Sequence, residues 1–211
     1  DLRSPLITID GFCQILQETC APRLTEEDRS HMDRIEQAVI RMRRLIEDLM
    51  SLAKIVRAPM QRMPVDLTMI ATEIVDELRA TGSPRSAEII IAPKVMAHGD
   101  LGLLRVVLSH LLGNAWKFTS KKATARIELG MSLDAEKKEI YFVRDNGAGF
   151  DPGFADRMFS PFSRCHSQQE FPGTGIGLAS VQRVIHRHGG RIWAESKVDR
   201  GASFYFTLPR G

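Results

Sequence analysis

D-N-G-A-G-F at residues 145–150, F-S-P-F at 159–162 and G-T-G-I-G-L at 173–178 decide how the rest of this chain is read. Glycines at 147, 149, 153, 173, 175 and 177 interrupt otherwise ordinary α/β sequence. Glycine lets backbone approach a ligand closely. Asp145 ends the apolar run I-Y-F-V at 140–143, so it stands where a buried strand gives way to a turn. A carboxylate held there can accept a hydrogen bond from an exocyclic amino group such as that of adenine. The second cluster runs into a helical pattern with Ile176, Ala179, Val184 and Ile185 on its buried side, leaving N–H groups at the helix start to face phosphate. Either cluster alone reads equally well as plain turns; both in this order, separated by a loop, read as a ligand-binding feature.

Two other phosphate-binding signatures are excluded. The chain has no G-x-x-x-x-G-K-[ST], and the 173–178 glycines follow the polar loop Q-E-F-P where a dinucleotide-binding fingerprint needs a strand.

Working outward, a helix is expected from about Leu101 to Phe118, with Leu104, Leu108, Leu111 and Ala115 on its buried side. His110, Asn114 and Lys117, spaced i, i+4, i+7, share another face. An amide oxygen and an ammonium together suit a magnesium–triphosphate, although H-x-x-x-N-x-x-K in isolation is better read as a solvated face. Further helices are expected around 68–80 and 176–188, and strands at 87–92, 95–100, 124–133, 138–145, 190–196 and 202–208. These elements read as an α/β sandwich with one sheet.

Before them, Leu2, Leu6, Ile9, Cys13, Leu16 and Cys20 step alternately by four and three, as do Ile35, Val39, Met42, Ile46, Leu49, Ala53 and Val56. That spacing predicts two helices packing like a coiled coil, joined by A-P-R-L-T-E-E-D, in which Thr25 is a candidate N-cap. Two helices alone leave much of the stripe wet, so a second copy completing a four-helix bundle is the expected solution. The fold class is therefore α+β: a hairpin over 1–57, a two-proline linker at 58–65, and the sandwich over 66–211.

A net charge of +3 with no basic run or aromatic stripe gives no argument for nucleic acid. Apolar runs are far short of a membrane span, and no signal-peptide pattern is present. Cys13, Cys20 and Cys165 lack metal-ligand spacing, and a reducing cytoplasm fits them best. Phe159 and Phe162 are expected to anchor the polar 150–173 loop as a mobile lid, within which Cys165 and His166 are expected to be unpartnered. His31 is expected to be a surface histidine.

The three opening motifs resemble the G1, F and G2 boxes of the sensor histidine kinases, members of the wider ATPase group that includes DNA gyrase. H-L-L-G-N-A-W-K-F-T at 110–119 resembles their N box, and D-L-R-S-P-L at 1–6 the tail of their H box. The five boxes stand in the family's order over essentially the whole chain, and 147–207 is most similar to the kinase ends of phytochromes and related cytoplasmic sensors.

The resemblance implies a protein-histidine kinase using ATP and Mg²⁺. Asn114 would ligate Mg²⁺, Lys117 would contact phosphate, and His110 would orient or ligate nearby. Asp145, Gly147, Gly149, Gly173, Thr174, Gly175, Ile176, Gly177 and Leu178 would form the ATP site, with Arg164 reaching the terminal phosphate. The phosphoacceptor histidine belongs directly before residue 1, so these 211 residues hold none and are expected not to autophosphorylate by themselves. Asp1 would assist proton removal from that imidazole, and Ser4 stands where phosphatase-competent relatives usually carry Thr or Asn. Implied partners are a second copy, a response-regulator receiver domain and an upstream sensory domain. His110 replaces the water-activating glutamate of gyrase-like ATPases, which disfavours hydrolysis relative to phosphoryl transfer. A nucleotide-binding pseudokinase that signals by docking is the alternative.

Overall fold

The computed structural model describes residues 4–57, 59–81, 85–167 and 170–209. The chain divides into two compact units, Asp1–Lys54 and Ile55–Gly211. In the first, α1 (Ser4–Cys20) and α2 (Glu26–Arg57) form the hairpin; the last turn of α2 belongs to the second unit.

Reciprocal capping starts α2. The Thr25 hydroxyl accepts the Asp28 N–H at 3.1 Å while the Asp28 carboxylate accepts the Thr25 N–H at 2.9 Å and its hydroxyl at 2.7 Å. These hydrogen bonds hold the Asp28 carboxyl below its ordinary range. Arg29 fastens the connection by donating to the Ala21 carbonyl at 2.9 Å, and Arg43 pairs with Asp10 at 2.9 Å between the helices. Leu6, Cys13, Met32 and Val39 are buried, whereas Ile9, Leu16, Ile35, Met42 and Leu49 of the same stripe are exposed. His31 is exposed.

The second unit runs β1 (Met63–Asp66), α3 (Leu67–Thr81), β2 (Ala87–Ile91), β3 (Met96–Gly99), α4 (Leu101–Phe118), β4 (Ala125–Leu133), β5 (Glu139–Asp145), α5 (Gly177–Arg187), β6 (Ile192–Lys197) and β7 (Gly201–Phe206). Five strands form a mixed sheet in the order β2-β4-β5-β7-β6, with only the β2–β4 pair parallel. One face of the sheet, from Ile127, Leu129, Tyr141, Val143, Phe204 and Phe206, is buried in one core with the apolar sides of the three helices. Leu104, Leu108 and Leu111 of α4 are each at most 1% exposed, and burial of a leucine contributes about 1.5–3 kcal/mol.

Two expectations need correction. The sheet is not single: β1 and β3 form a separate antiparallel ribbon in the register Val65↔Ala97. The stretch read as a linker therefore ends in a strand from Met63 onward. Pro64 did not prevent it, because a two-stranded ribbon consists of edges, where a missing N–H donor is tolerated.

Candidate nucleotide site

β5 carries Asp145 to its end, where the residue is 7% exposed and paired with Ile127 of β4. Its Oδ1 accepts the Gly147 N–H at 2.8 Å. Burial pushes the carboxyl up to about 6, opposed by the N–H groups of Gly147 and Ala202. Asn146, within the motif but given no role from sequence, ties the turn to β4: its Oδ1 accepts the Arg126 N–H at 2.8 Å and its Nδ2 donates to the Thr124 carbonyl at 2.9 Å.

The turn interlocks with the end of α4. The Ala148 N–H donates to the Phe118 carbonyl at 3.1 Å, and a β-carbon at Gly147 would lie 2.6 Å from that oxygen. Gly149 takes φ 62°, and a β-carbon there would lie 2.2 Å from the Lys197 carbonyl. Asp145 is thereby brought next to the helix that carries Asn114 and Lys117.

His110, Asn114 and Lys117 are half-buried on α4. The second glycine cluster passes over this face: a β-carbon at Gly177 would lie 3.0 Å from His110 Nδ1, and one at Gly173 would lie 3.3 Å from Lys117 Nζ. The Lys117 ammonium also lies 4.3 Å from the centre of the Phe118 ring. Burial lowers its pKa, and so does the positive charge of Arg164. Two cations close enough to raise each other's energy favour a nearby anion. α5 begins beside them after Ile176, which is fully buried and supplies no side-chain cap, so its contribution to a ligand is through backbone. Thr174, Gly175 and Leu178 are half-buried in the same stretch.

Of the two aromatic anchors expected for the 150–173 loop, one packs and one does not. Phe159 is buried, but Phe162 is 57% exposed. Phe162 holds the loop through backbone instead: at φ 65° its N–H donates to the Gly175 carbonyl at 2.9 Å, with Gly175 at φ 75°. His166 is not unpartnered. A ring nitrogen lies 2.7 Å from the Gly149 carbonyl, and the ring joins Phe118 and Phe171 in a cluster with centroid separations of 5.0–5.3 Å. Arg164 clamps the loop by donating to the carbonyls of Gly173 at 2.8 Å and Phe171 at 2.9 Å. Cys165 is half-buried, and burial raises its thiol pKa, which leaves little reactive thiolate.

Asp1 lies outside the described residues; Ser4 is exposed at the start of α1. Among the described residues no three His, Cys, Asp or Glu side chains converge on a possible metal position. The half-buried Asn114 offers an amide oxygen, a hard donor of the kind Mg²⁺ takes beside phosphate oxygens and water. The lack of side chains at Gly173 and Gly177 lets the backbone of the loop pass close over Lys117 and His110.

Three helices on a mixed sheet, with these boxes at one end, define a nucleotide-binding α/β sandwich attached to a helical hairpin. The sequence model described as "Histidine kinase-, DNA gyrase B-, and HSP90-like ATPase" matches residues 99–211, and that described as "His Kinase A (phospho-acceptor) domain" matches residues 1–57. The chain belongs to the histidine kinase family. It is 35% identical to the methanogenesis regulatory histidine kinase FilI of Methanothrix harundinacea over 99% of this chain and 23% of that protein. It is 32% identical to cyanobacterial phytochrome A of Nostoc sp. over 100% of this chain and 27% of that protein. The chain thus spans about a quarter of the length of these relatives. Among solved structures, full-length ShkA in complex with AMPPNP matches 99% of this chain and 43% of its own, at 26% identity and a TM-score of 0.67.

Proposed function

We propose that the chain is the catalytic core of a cytoplasmic sensor histidine kinase, binding ATP–Mg²⁺ at the site above and directing the γ-phosphoryl group to a histidine of the helical hairpin. The observation that carries this reading is Lys117, half-buried beside Gly173 and within the field of the Arg164 charge. Such a pair is stabilised when a polyanion enters.

Asp145 accepts the adenine amino group, and Lys117 and the N–H groups at the start of α5 receive the phosphates. Asn114 would hold the Mg²⁺, with His110 orienting nearby; bound there, the ion neutralises phosphate charge. Arg164 leaves its carbonyl partners to meet the γ-phosphate as the loop closes. The acceptor imidazole, placed by resemblance just before Asp1, attacks the γ-phosphorus. The bond to ADP breaks, and Asp1 takes the imidazole proton. The phosphoryl group then passes to a response-regulator aspartate.

The exposed stripe of Ile9, Leu16, Ile35, Met42 and Leu49 supports pairing with a second copy. An upstream sensory domain, as in the phytochrome-like relatives, would set the activity.

The test uses protein carrying its native residues before Asp1, incubated with γ-labelled ATP and Mg²⁺ beside an Asp145→Asn control. Acid-labile, base-stable label on the first protein and none on the control is expected. ATP binding without label would contradict phosphoryl transfer and favour the pseudokinase.

A further inference from the structure

The segment entering the second unit is tied to the ends of α4 and α5 remote from the glycine loop. Ile55 is 5% exposed, and its carbonyl accepts a hydrogen bond from the Arg187 guanidinium. The Gln61 N–H donates to Asp100 Oδ2 at 2.9 Å, and Arg62 donates to the His188 carbonyl at 3.1 Å. Asp100 also caps α4, its Oδ1 accepting the Leu103 N–H at 3.0 Å.

His188 stands at the centre of these contacts, 2% exposed, immediately after α5. Its Nε2 accepts the Asp100 N–H at 3.0 Å, so its Nδ1, 2.8 Å from the Val184 carbonyl, is the protonated nitrogen. The ring packs where Gly99 leaves room: a β-carbon there would lie 2.9 Å from it. An imidazolium does not fit, because its Nε2–H would point at the Asp100 N–H.

We propose that His188 is a positioning residue for the nucleotide site, locking the N-terminal end of α4 to the C-terminal end of α5 and fastening the incoming segment to the same point. The proposal rests on the nucleotide reading above. The two helices are rigid rods of roughly 27 and 16 Å. Fixing them at one end sets how His110 and Lys117 of α4 meet the loop leading into α5, where Gly177 has no side chain to obstruct the His110 ring. Displacement of the incoming segment would pull on Asp100 and His188 first, so the same buckle can couple that segment to nucleotide affinity.

Burial holds the His188 ring below its ordinary pKa of 6.5. Arg62 of the incoming segment and Arg187 of α5 act in the same direction, whereas the Val184 carbonyl and Asp100 act against them. Acidification therefore opens the buckle only after ordinary histidines have titrated.

The 211-residue chain is used for the test. Long-range ¹H–¹⁵N spectra are expected to show His188 as the neutral Nδ1–H tautomer, and the Asp100 amide is expected to exchange slowly until the ring titrates. His188→Leu is expected to raise the Kd for ATP by about tenfold, the scale of one lost buried hydrogen bond, while His188→Gln, which restores an acceptor, stays within about threefold of the parent. A folded His188→Leu protein with unchanged ATP affinity would overturn the proposal. An Nε2–H tautomer, or an Asp100 amide indifferent to the ring's titration, would overturn it too, and these readouts decide the matter should His188→Leu fail to fold. A parent chain that binds no ATP overturns the nucleotide reading instead; the tautomer and the Asp100 amide, which need no ligand, then report on the buckle separately.

Discussion

Leu108 and Leu111 of α4 are 0% exposed, whereas Leu16 of α1 and Leu49 of α2 are 47% and 40% exposed. The same residue type at helical spacing is covered in one unit and left at the surface in the other. In Ile55–Gly211 each helix has a sheet face to lie on. In Asp1–Lys54 two helices cover only part of each other's stripe. The second unit thus carries its own core, while the first leaves apolar side chains of its stripe exposed.

The largest expected effect breaks that contrast directly. If a second copy covers the stripe as proposed, Leu16→Glu combined with Met42→Glu would place unpaired carboxylates in that seam, costing several kcal/mol per buried charge. Light scattering should show a dimer becoming a monomer, with ATP affinity of the second unit unchanged. Unchanged mass and stability would mean that these positions face water in solution.

Next, Lys117→Met should weaken ATP binding by about 100-fold, the scale of a strong charge-assisted contact. Because burial and Arg164 already penalise the ammonium, thermal stability should hold or rise. A parallel loss of both would make Lys117 structural.

Asp145→Asn separates function from stability in the same way. The native carboxyl titrates at about 6, above its ordinary 3.8, so between these values the folded state binds the proton more tightly than the unfolded chain. Stability therefore falls as pH rises through that window, and above it the ionised group carries a cost of up to ~3 kcal/mol. Asparagine removes this cost while keeping an acceptor for the Gly147 N–H. Tm at neutral pH should rise and ATP affinity fall, with the gain in Tm fading below about pH 4.

Much of this comparison can be read from sequence because it is periodic. The α4 stripe, the α1 and α2 stripes and the Thr25 cap all follow from spacing, and Asp145 with its glycines from motif order. The rest depends on contacts that have no period. Val65 finds Ala97 across the chain to make a ribbon that four residues containing a proline do not announce. His166 reaches the Gly149 carbonyl, and His188 the Asp100 N–H, through loops and helix ends whose meeting no local pattern encodes. Phe162 is the converse case: its backbone holds the loop and its ring is exposed.

The smallest expected effect lies in the hairpin. Thr25→Ala removes the cap of α2 and should cost about 1 kcal/mol in hairpin stability by thermal unfolding, without altering ATP affinity. A change in affinity would show that the cap does more than start its helix.

The most direct test of the nucleotide site is calorimetric titration of ATP and Mg²⁺ into the chain near pH 6, in two buffers of different ionisation heat. An adenine amino group donating to Asp145, as proposed, would favour its ionised form, so binding should release protons, and affinity should climb as pH rises through about 6. Asp145→Asn should lose that proton release. Binding by the parent chain with no proton release, or with the same release from the Asn variant, would contradict the assignment of Asp145 to the adenine and with it the site described here.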